Sequence, residues 1–391
     1  MKRIAVQATV LAATLMSAAA FVLHWPCRNG NYVSGRFTSM CYSDLAAFFA
    51  NPPLSTGDSP FGGNLGIAPL PAALLWMLSK LSSNFILVVV ITQLFLAIAL
   101  LAIGYAGLVQ RFWRPLDAMI VVSMPLWPFV MFTSVDIIGV AFAALALAYW
   151  SRGRIALAAV LSGLALISGG WAWIVLLAFV VDALRMDNAA VARKVVTISL
   201  AVTAVGQLPL IVSGGNVFTW NSDPGDGSIL TVVEYVIGSA PRVSNVLAVF
   251  GVVAIVILAR WAYHQPFEFR VESLVLLFAI IQLLTSPTIA PQALTRLAWL
   301  IPLVFTQRTV ILSYAGFAIA YVMLVWLHLE GTVDNGKGAP DAAYALGCCI
   351  LLAALTVLLK QTIDIIRVQG GDRVRQAMAE YINEKQMYVA G

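Results

Sequence analysis

The chain has 391 residues, 61% of them hydrophobic and only 10% charged, where a soluble domain carries about 25% charged residues. This excludes a soluble globular enzyme and points to a polytopic, all-α membrane protein. The formal net charge of +5 then reads as membrane topology and not as affinity for nucleic acid, because basic residues collect in loops that stay in the cytoplasm.

The first apolar run, "MKRIAVQATVLAATLMSAAAFVLHWP", is predicted to be a retained transmembrane helix. Ala18-Ala19-Ala20 resembles a signal-peptide cleavage site, yet roughly 20 apolar residues exceed the about 7–15 of a signal-peptide core. Apolar runs and their polar breaks then predict spans near 4–23, 84–109, 116–134, 137–151, 155–169, 171–185, 195–213, 243–262, 271–287, 297–307, 309–328 and 342–363. Several are short for a bilayer core about 30 Å thick. The breaks at Asp136, Gly169-Gly170 and Arg296 are expected to meet in a recessed cavity. Between the first two spans, residues 65–81, "LGIAPLPAALLWMLSKL", hold two prolines and read as a helix lying in the interface.

Twelve spans put both termini on one side. With that side cytoplasmic, the basic residues divide 17 inside against 6 outside, the direction that the positive-inside rule requires. The expected organisation is a membrane domain over 1–363, with outer loops 24–83 and 214–242, followed by a charged cytoplasmic tail over 364–391. Asp44, Asp58, Asp136, Asp223, Asp226, Glu234, Gln292, Arg296, Glu330 and Asp341 all fall on the outer face.

Among these, Asp44 sits in "SGRFTSMCYSDLAAFF", three residues past Cys41 in the first outer loop. Cys27 and Cys41 either bridge or remain free thiols. A bridge in this oxidising compartment would close a loop of roughly 15 residues, worth about 3 kcal/mol in the chain-entropy picture, and would hold the approach to Asp44. Asp136 lies between two apolar runs, where an ionised carboxylate is expensive and by default a functional candidate; the alternative is a polar hairpin at the surface. Arg296 either snorkels to the interface or meets an anionic head group. Asp223 and Asp226 in "NSDPGDGS" serve equally as turn residues. The adjacent Cys348 and Cys349 read as apolar filling. The three histidines are scattered, with no metal-ligand spacing, and no Walker loop or dinucleotide fingerprint occurs. Carboxylates, a guanidinium and interfacial helices on one face fit chemistry on a lipid-borne phosphate, without selecting a sugar over another lipid-linked group.

Several stretches together resemble a family. "CYSDL" with an upstream cysteine, "TSVDIIGVAFAALALAYWSRGRIALAAVLSGLAL", "GQLPLIVSGGNVFTWNSDPGDGSILTVVEYVI" and "SPTIAPQALTRLAWLIPL" are similar to segments of the actinobacterial integral-membrane glycosyltransferases of the GT-C superfamily. These use polyprenyl-phosphate sugars and are related to the phosphatidylinositol-mannoside mannosyltransferases. The likeness runs over roughly 24–367. It implies a GT-C-like bundle of about 12 transmembrane helices that transfers a hexose, most plausibly mannose, at the outer face of the cytoplasmic membrane during cell-envelope assembly. Asp44 would be the catalytic base and Asp136 the second acidic residue. Gln292 and Arg296 would meet the phosphate, with Tyr42 and Asp223 beside them. The partners would be the polyprenyl-phosphate donor, a glycolipid or glycan acceptor, membrane lipids and envelope-assembly proteins. No nucleotide and no required metal is expected, although two carboxylates facing a phosphate leave room for a divalent ion.

The chain also departs from that family. Relatives carry lysines where this sequence has "ISGGWAW" and "TSPTIAPQ", and a glutamate is missing from "GNLGIAPL". These losses keep a second reading open, a catalytically degenerate protein that binds lipid-linked glycan or scaffolds an envelope complex. A third, a lipid or solute transporter, is disfavoured because transporters place binding groups near the bilayer midplane.

Overall fold

The computed structural model describes residues 2–29, 36–37, 39–50, 53–61, 67–82, 84–111, 115–214, 227–238, 244–265, 269–332 and 338–389. Among these residues every regular element is helical. The chain begins with α1 (Lys2–Leu23), the short α2 (Asp44–Ala50), α3 (Pro69–Ser79) and α4 (Phe85–Gln110). It continues through α5 (Ala118–Val122), α6 (Trp127–Val130), α7 (Asp136–Trp150), α8 (Ile155–Ser168), α9 (Trp173–Arg185) and α10 (Ala189–Val212). The last part holds α11 (Ile229–Ile237), α12 (Ser244–Tyr263), α13 (Val271–Leu284), α14 (Thr295–Ala298), α15 (Ile301–Val304), α16 (Arg308–Thr332) and α17 (Asp341–Val389).

Six of these are long and apolar enough to cross a membrane: α1, α4, α10, α12, α16 and the Asp341–Val368 part of α17. They mark the chain as a membrane protein. The other expected spans are shorter pieces. α7, α8, α9 and α13 have 13–15 residues, so each rises about 20–23 Å, short of an apolar core about 30 Å thick. The runs 116–134 and 297–307 are broken into α5–α6 and α14–α15. Pro125, Pro128 and Pro302 withhold the amide hydrogens that a continuous helix needs. α10 begins ahead of the expected 195 because Asn188 Oδ1 accepts from the Val191 amide and caps the helix. Likewise, α17 runs to Val389 without a break at the expected boundary after 363.

The packing explains why the short helices lie inside. α13 is buried on almost every side and apolar except at Glu272, Ser273 and Gln282, as suits a central helix. It packs against α9, α12, α15 and α17. On the other side, α1, α4, α7, α8 and α10 pack in sequence through small residues that let backbones approach. Gly104 faces Thr9 and Val122, Gly163 faces Val202 and the Ser199 carbonyl, and Gly206 faces Ile167. Ser199 Oγ adds a 2.9 Å hydrogen bond to the Ala159 carbonyl between α10 and α8. By contrast, α12 exposes Val249, Phe250, Val253, Val256 and Ile257. Such a stripe would be an aggregation hazard in water and is ordinary against lipid.

Candidate functional site

The site is built where the short helices stop. Cys27 and Cys41 form a disulfide with Cα atoms 5.3 Å apart. Met40, just before the second cysteine, has φ of 57°, a left-handed conformation uncommon for a residue with a side chain. Beyond it the backbone is stitched to the corner between α6 and α7. Ser43 Oγ donates to the Phe132 carbonyl (2.8 Å) and the Asp44 amide to the Thr133 carbonyl (2.8 Å). The same corner ends in Ser134, whose Oγ accepts from the Asp136 amide (3.1 Å). Two carboxylates 92 positions apart in sequence (136 − 44) are thereby fastened to one turn.

Asp44 is engaged at both oxygens. Tyr42 Oη donates to Oδ1 (2.6 Å), and Gln292 Nε2 donates to Oδ2 (3.4 Å). Tyr42 is itself held by stacking on Phe37, with ring centroids 5.4 Å apart. Burial raises the Asp44 carboxyl to about 6; the Tyr42 hydrogen bond opposes the rise, and the negative charge of Asp136 adds to it. A carboxylate poised there is a much better proton acceptor at neutral pH than an ordinary aspartate.

Arg296 completes the group. Its Nη2 lies 3.8 Å from Asp136 Oδ2, and its guanidinium carbon lies 5.5 Å from the centroid of the Trp171 ring, within the range of a cation–π contact. Trp171 sits on the turn that follows α8, where its indole nitrogen lies so close to Gly169 that a Cβ there would fall 2.7 Å away. Gln292 lies in a 3-10 turn over Pro291–Leu294 and Arg296 in α14, which follows it, and α16 holds this segment in place. Tyr314 Oη donates to the Leu294 carbonyl (3.1 Å) and Tyr321 Oη to the Ile289 carbonyl. Thr295 Oγ1 closes the turn on the Gln292 carbonyl (2.6 Å).

A cavity of about 340 Å³ opens beside Arg296, lined by Trp171, Trp173, Gln282 and Thr285 and by α12 from Gly251 to Ile255. One wall is thus polar and aromatic, and the other is the apolar helix that faces lipid. Gly251 lies so close to the Thr285 hydroxyl that a Cβ there would collide with it. In and beside this cavity Trp171 Nε1, Gln282 Oε1, Gln292 Oε1 and Arg296 Nε are buried with no hydrogen-bond partner among the described residues. Orphaned polar atoms around one hollow call for a partner there, water or a polar ligand. Among the described residues no three His, Cys, Asp or Glu side chains converge as a metal set would require.

Of the residues singled out from the sequence, Tyr42, Asp44, Asp136, Gln292 and Arg296 come together here. Asp223 and Asp226 lie outside the described residues. Asp58 bonds locally to Thr56 (2.7 Å), and Asp341 lies 3.7 Å from His328 at the start of α17; neither has a recorded link to this group. Sequence reasoning missed Trp171, Gln282 and the two tyrosines. Trp171 alone carried a signal, an aromatic in "ISGGWAW" beside a break in an apolar run.

Comparison with known proteins finds no matching family model, no matching curated protein and no matching solved structure.

Proposed function

We propose that the chain is a membrane glycosyltransferase that moves a hexose from a polyprenyl phosphate to a glycolipid or glycan hydroxyl at the outer face of the cytoplasmic membrane. One observation carries the reading. Asp44, its carboxyl raised by burial, is tied through Gln292 to the segment that bears Arg296, and Arg296 lines a cavity that is polar on one side and apolar on the other. A lipid-borne phosphate needs both surfaces at once. The short apolar helices packed among six long ones support a GT-C-like bundle.

In the proposed step the acceptor hydroxyl loses its proton to the Asp44 carboxylate as its oxygen bonds to the anomeric carbon. The bond from that carbon to the phosphate oxygen breaks, and polyprenyl phosphate leaves with the electron pair. Arg296 neutralises the charge that grows on the leaving phosphate, because its planar fork matches phosphate oxygens. Gln292 bridges the two ends of the site by hydrogen-bonding Asp44. The apolar face of α12 would take the start of the isoprenoid chain.

Asp44→Asn, assayed in membranes with labelled polyprenyl-phosphate sugars, is expected to lose the roughly 10²–10⁴-fold contribution of general-base catalysis. Undiminished transfer rules the base assignment out. The absence of the family's two lysines favours a second reading, a protein that binds lipid-linked glycan without turnover. It predicts that Asp44→Asn leaves the cellular phenotype intact while changes lining the cavity abolish glycolipid binding.

A further inference from the structure

α16 and α17 touch at one end and part at the other. Towards Thr332 they are drawn together. His328 stacks on Tyr344 with ring centroids 4.0 Å apart, and Gly347 lies against Leu324. Towards Arg308 the two helices separate, and two cavities of about 490 and 440 Å³ occupy the gap, meeting at Gln361.

The two cavities differ in chemistry. The first is lined mainly by carbon, from Val310, Phe317, Ile350, Ala353 and Val357. The second is also walled largely by carbon, from Val304, Phe305, Ile365 and Val368, and adds the polar side chains of Thr306, Gln307, Gln361 and Asp364. The side chains of Arg308, Lys360 and Arg367, neighbours in sequence of the lining residues, are exposed. Counted with Asp364, this end of the two helices carries three positive charges against one negative. The first turn of α16 also lies here, since Thr309 and Val310 line the groove, so the positive end of that helix dipole faces the mouth.

An apolar slot that ends in a cationic, amide-rich mouth is complementary to one kind of molecule, an amphiphile with an anionic head. We propose that the α16–α17 groove binds an anionic phospholipid from the leaflet on the side of the basic loops. Its acyl chain runs along Ala353 and Phe317, and its phosphate meets Arg308 and Lys360. A zwitterionic lipid presents its own ammonium to the same rim and gains less. A small polar solute would leave the carbon-lined half uncovered. Tyr314 lines the groove and donates to the Leu294 carbonyl, so the bound chain abuts the residue that holds the segment of Gln292 and Arg296. This inference stands independently of sugar transfer.

The test is native mass spectrometry on protein exchanged into lipid-free detergent and then offered phosphatidylglycerol or phosphatidylcholine. Phosphatidylglycerol is expected to be retained and phosphatidylcholine to wash out. Arg308→Gln and Lys360→Gln should each weaken retention about fivefold, the worth of one basic residue at an anionic surface. Ala353→Trp, at an exposed position, should abolish it by filling the slot, and Ala354→Phe serves the same purpose if the first variant fails to elute as a single species. Equal retention of both lipids overturns the proposal. So does undiminished phosphatidylglycerol retention in the slot-filling variant.

Discussion

The hydrogen bond from Tyr42 to Asp44 predicts the direction and size of a pH shift. Burial sets the Asp44 carboxyl at about 6 even though Tyr42, 2.6 Å away, is pulling it down. A hydrogen bond to a charged group is worth about 1.5–3 kcal/mol, and one pH unit corresponds to about 1.4 kcal/mol. Tyr42→Phe should therefore raise the Asp44 titration by about 1–2 units, to between about 7 and 8. Infrared difference spectra of the protonated carboxyl band, with Asp44→Asn as the blank, follow that titration without any need for turnover. The sign for activity follows from the role of the ionised form. Transfer falls as the pH drops through the Asp44 titration, so in Tyr42→Phe the acid limb moves to higher pH. The sign for stability is also determined. Ionising a carboxyl whose folded-state titration is raised costs the folded state, so the penalty is absent below about 4 and reaches its full value, at most about 3 kcal/mol, above about 6. Asp44→Asn should accordingly raise the melting temperature at pH 8 but not at pH 4. An unmoved band in Tyr42→Phe, or one shifted to lower pH, refutes the account of how Asp44 is tuned.

Asp136→Asn removes the negative charge that adds to the rise, so it should move the Asp44 band to lower pH, opposite to Tyr42→Phe. Arg296→Gln should raise the KM for a polyprenyl-phosphate donor more than the KM for the acceptor, read by varying each substrate in turn. A larger effect on the acceptor contradicts the assignment of Arg296 to the phosphate. The double change Cys27→Ser with Cys41→Ser frees the loop and should cost about 3 kcal/mol, measured as a lower melting temperature in detergent. Dithiothreitol on the parent protein should reproduce that loss and leave the double variant unaffected.

The long apolar helices were legible in the sequence because length and composition alone license a span. The short ones were legible too, since the expected 137–151, 155–169, 171–185 and 271–287 lie within about three residues of α7, α8, α9 and α13; what the sequence did not show is their close packing, such as Gly139 against Ser168. The carboxylates were legible for an energetic reason. Asp44 and Asp136 stand beside apolar segments where an idle charge is selected against. Gln292 and Arg296 came from the resemblance and from their place between two runs; the breaks at Asp136, Gly169-Gly170 and Arg296 were expected to meet, and Arg296 does lie by Asp136 and Trp171, but the partner of Gln292 was not foreseen. The 248-residue separation of Gln292 from Asp44 is invisible to any local pattern. Trp171 and Gln282 also escaped, because an indole or an amide in an apolar helix is ordinary until a cavity forms beside it.

On the proposed function, an arginine at this place and not a lysine has a physical consequence for how a phosphate would enter. Arg296 stands at 3.8 Å from Asp136, longer than a charge-assisted hydrogen bond of about 2.7–2.9 Å, and its Nε is unpaired. The guanidinium is therefore held in place by the carboxylate and the Trp171 ring without having its donors consumed. A phosphate arriving from the α12 side can take the free Nε together with Nη2, the nitrogen on the same edge of the fork, in place of its long approach to Asp136. A lysine has three donors on one nitrogen but no planar fork with which to match two phosphate oxygens in this way. The arrangement predicts that Arg296→Lys is far from conservative. It should bind donor more weakly than the parent although the charge is unchanged, whereas a site that needed only a positive charge would tolerate the exchange.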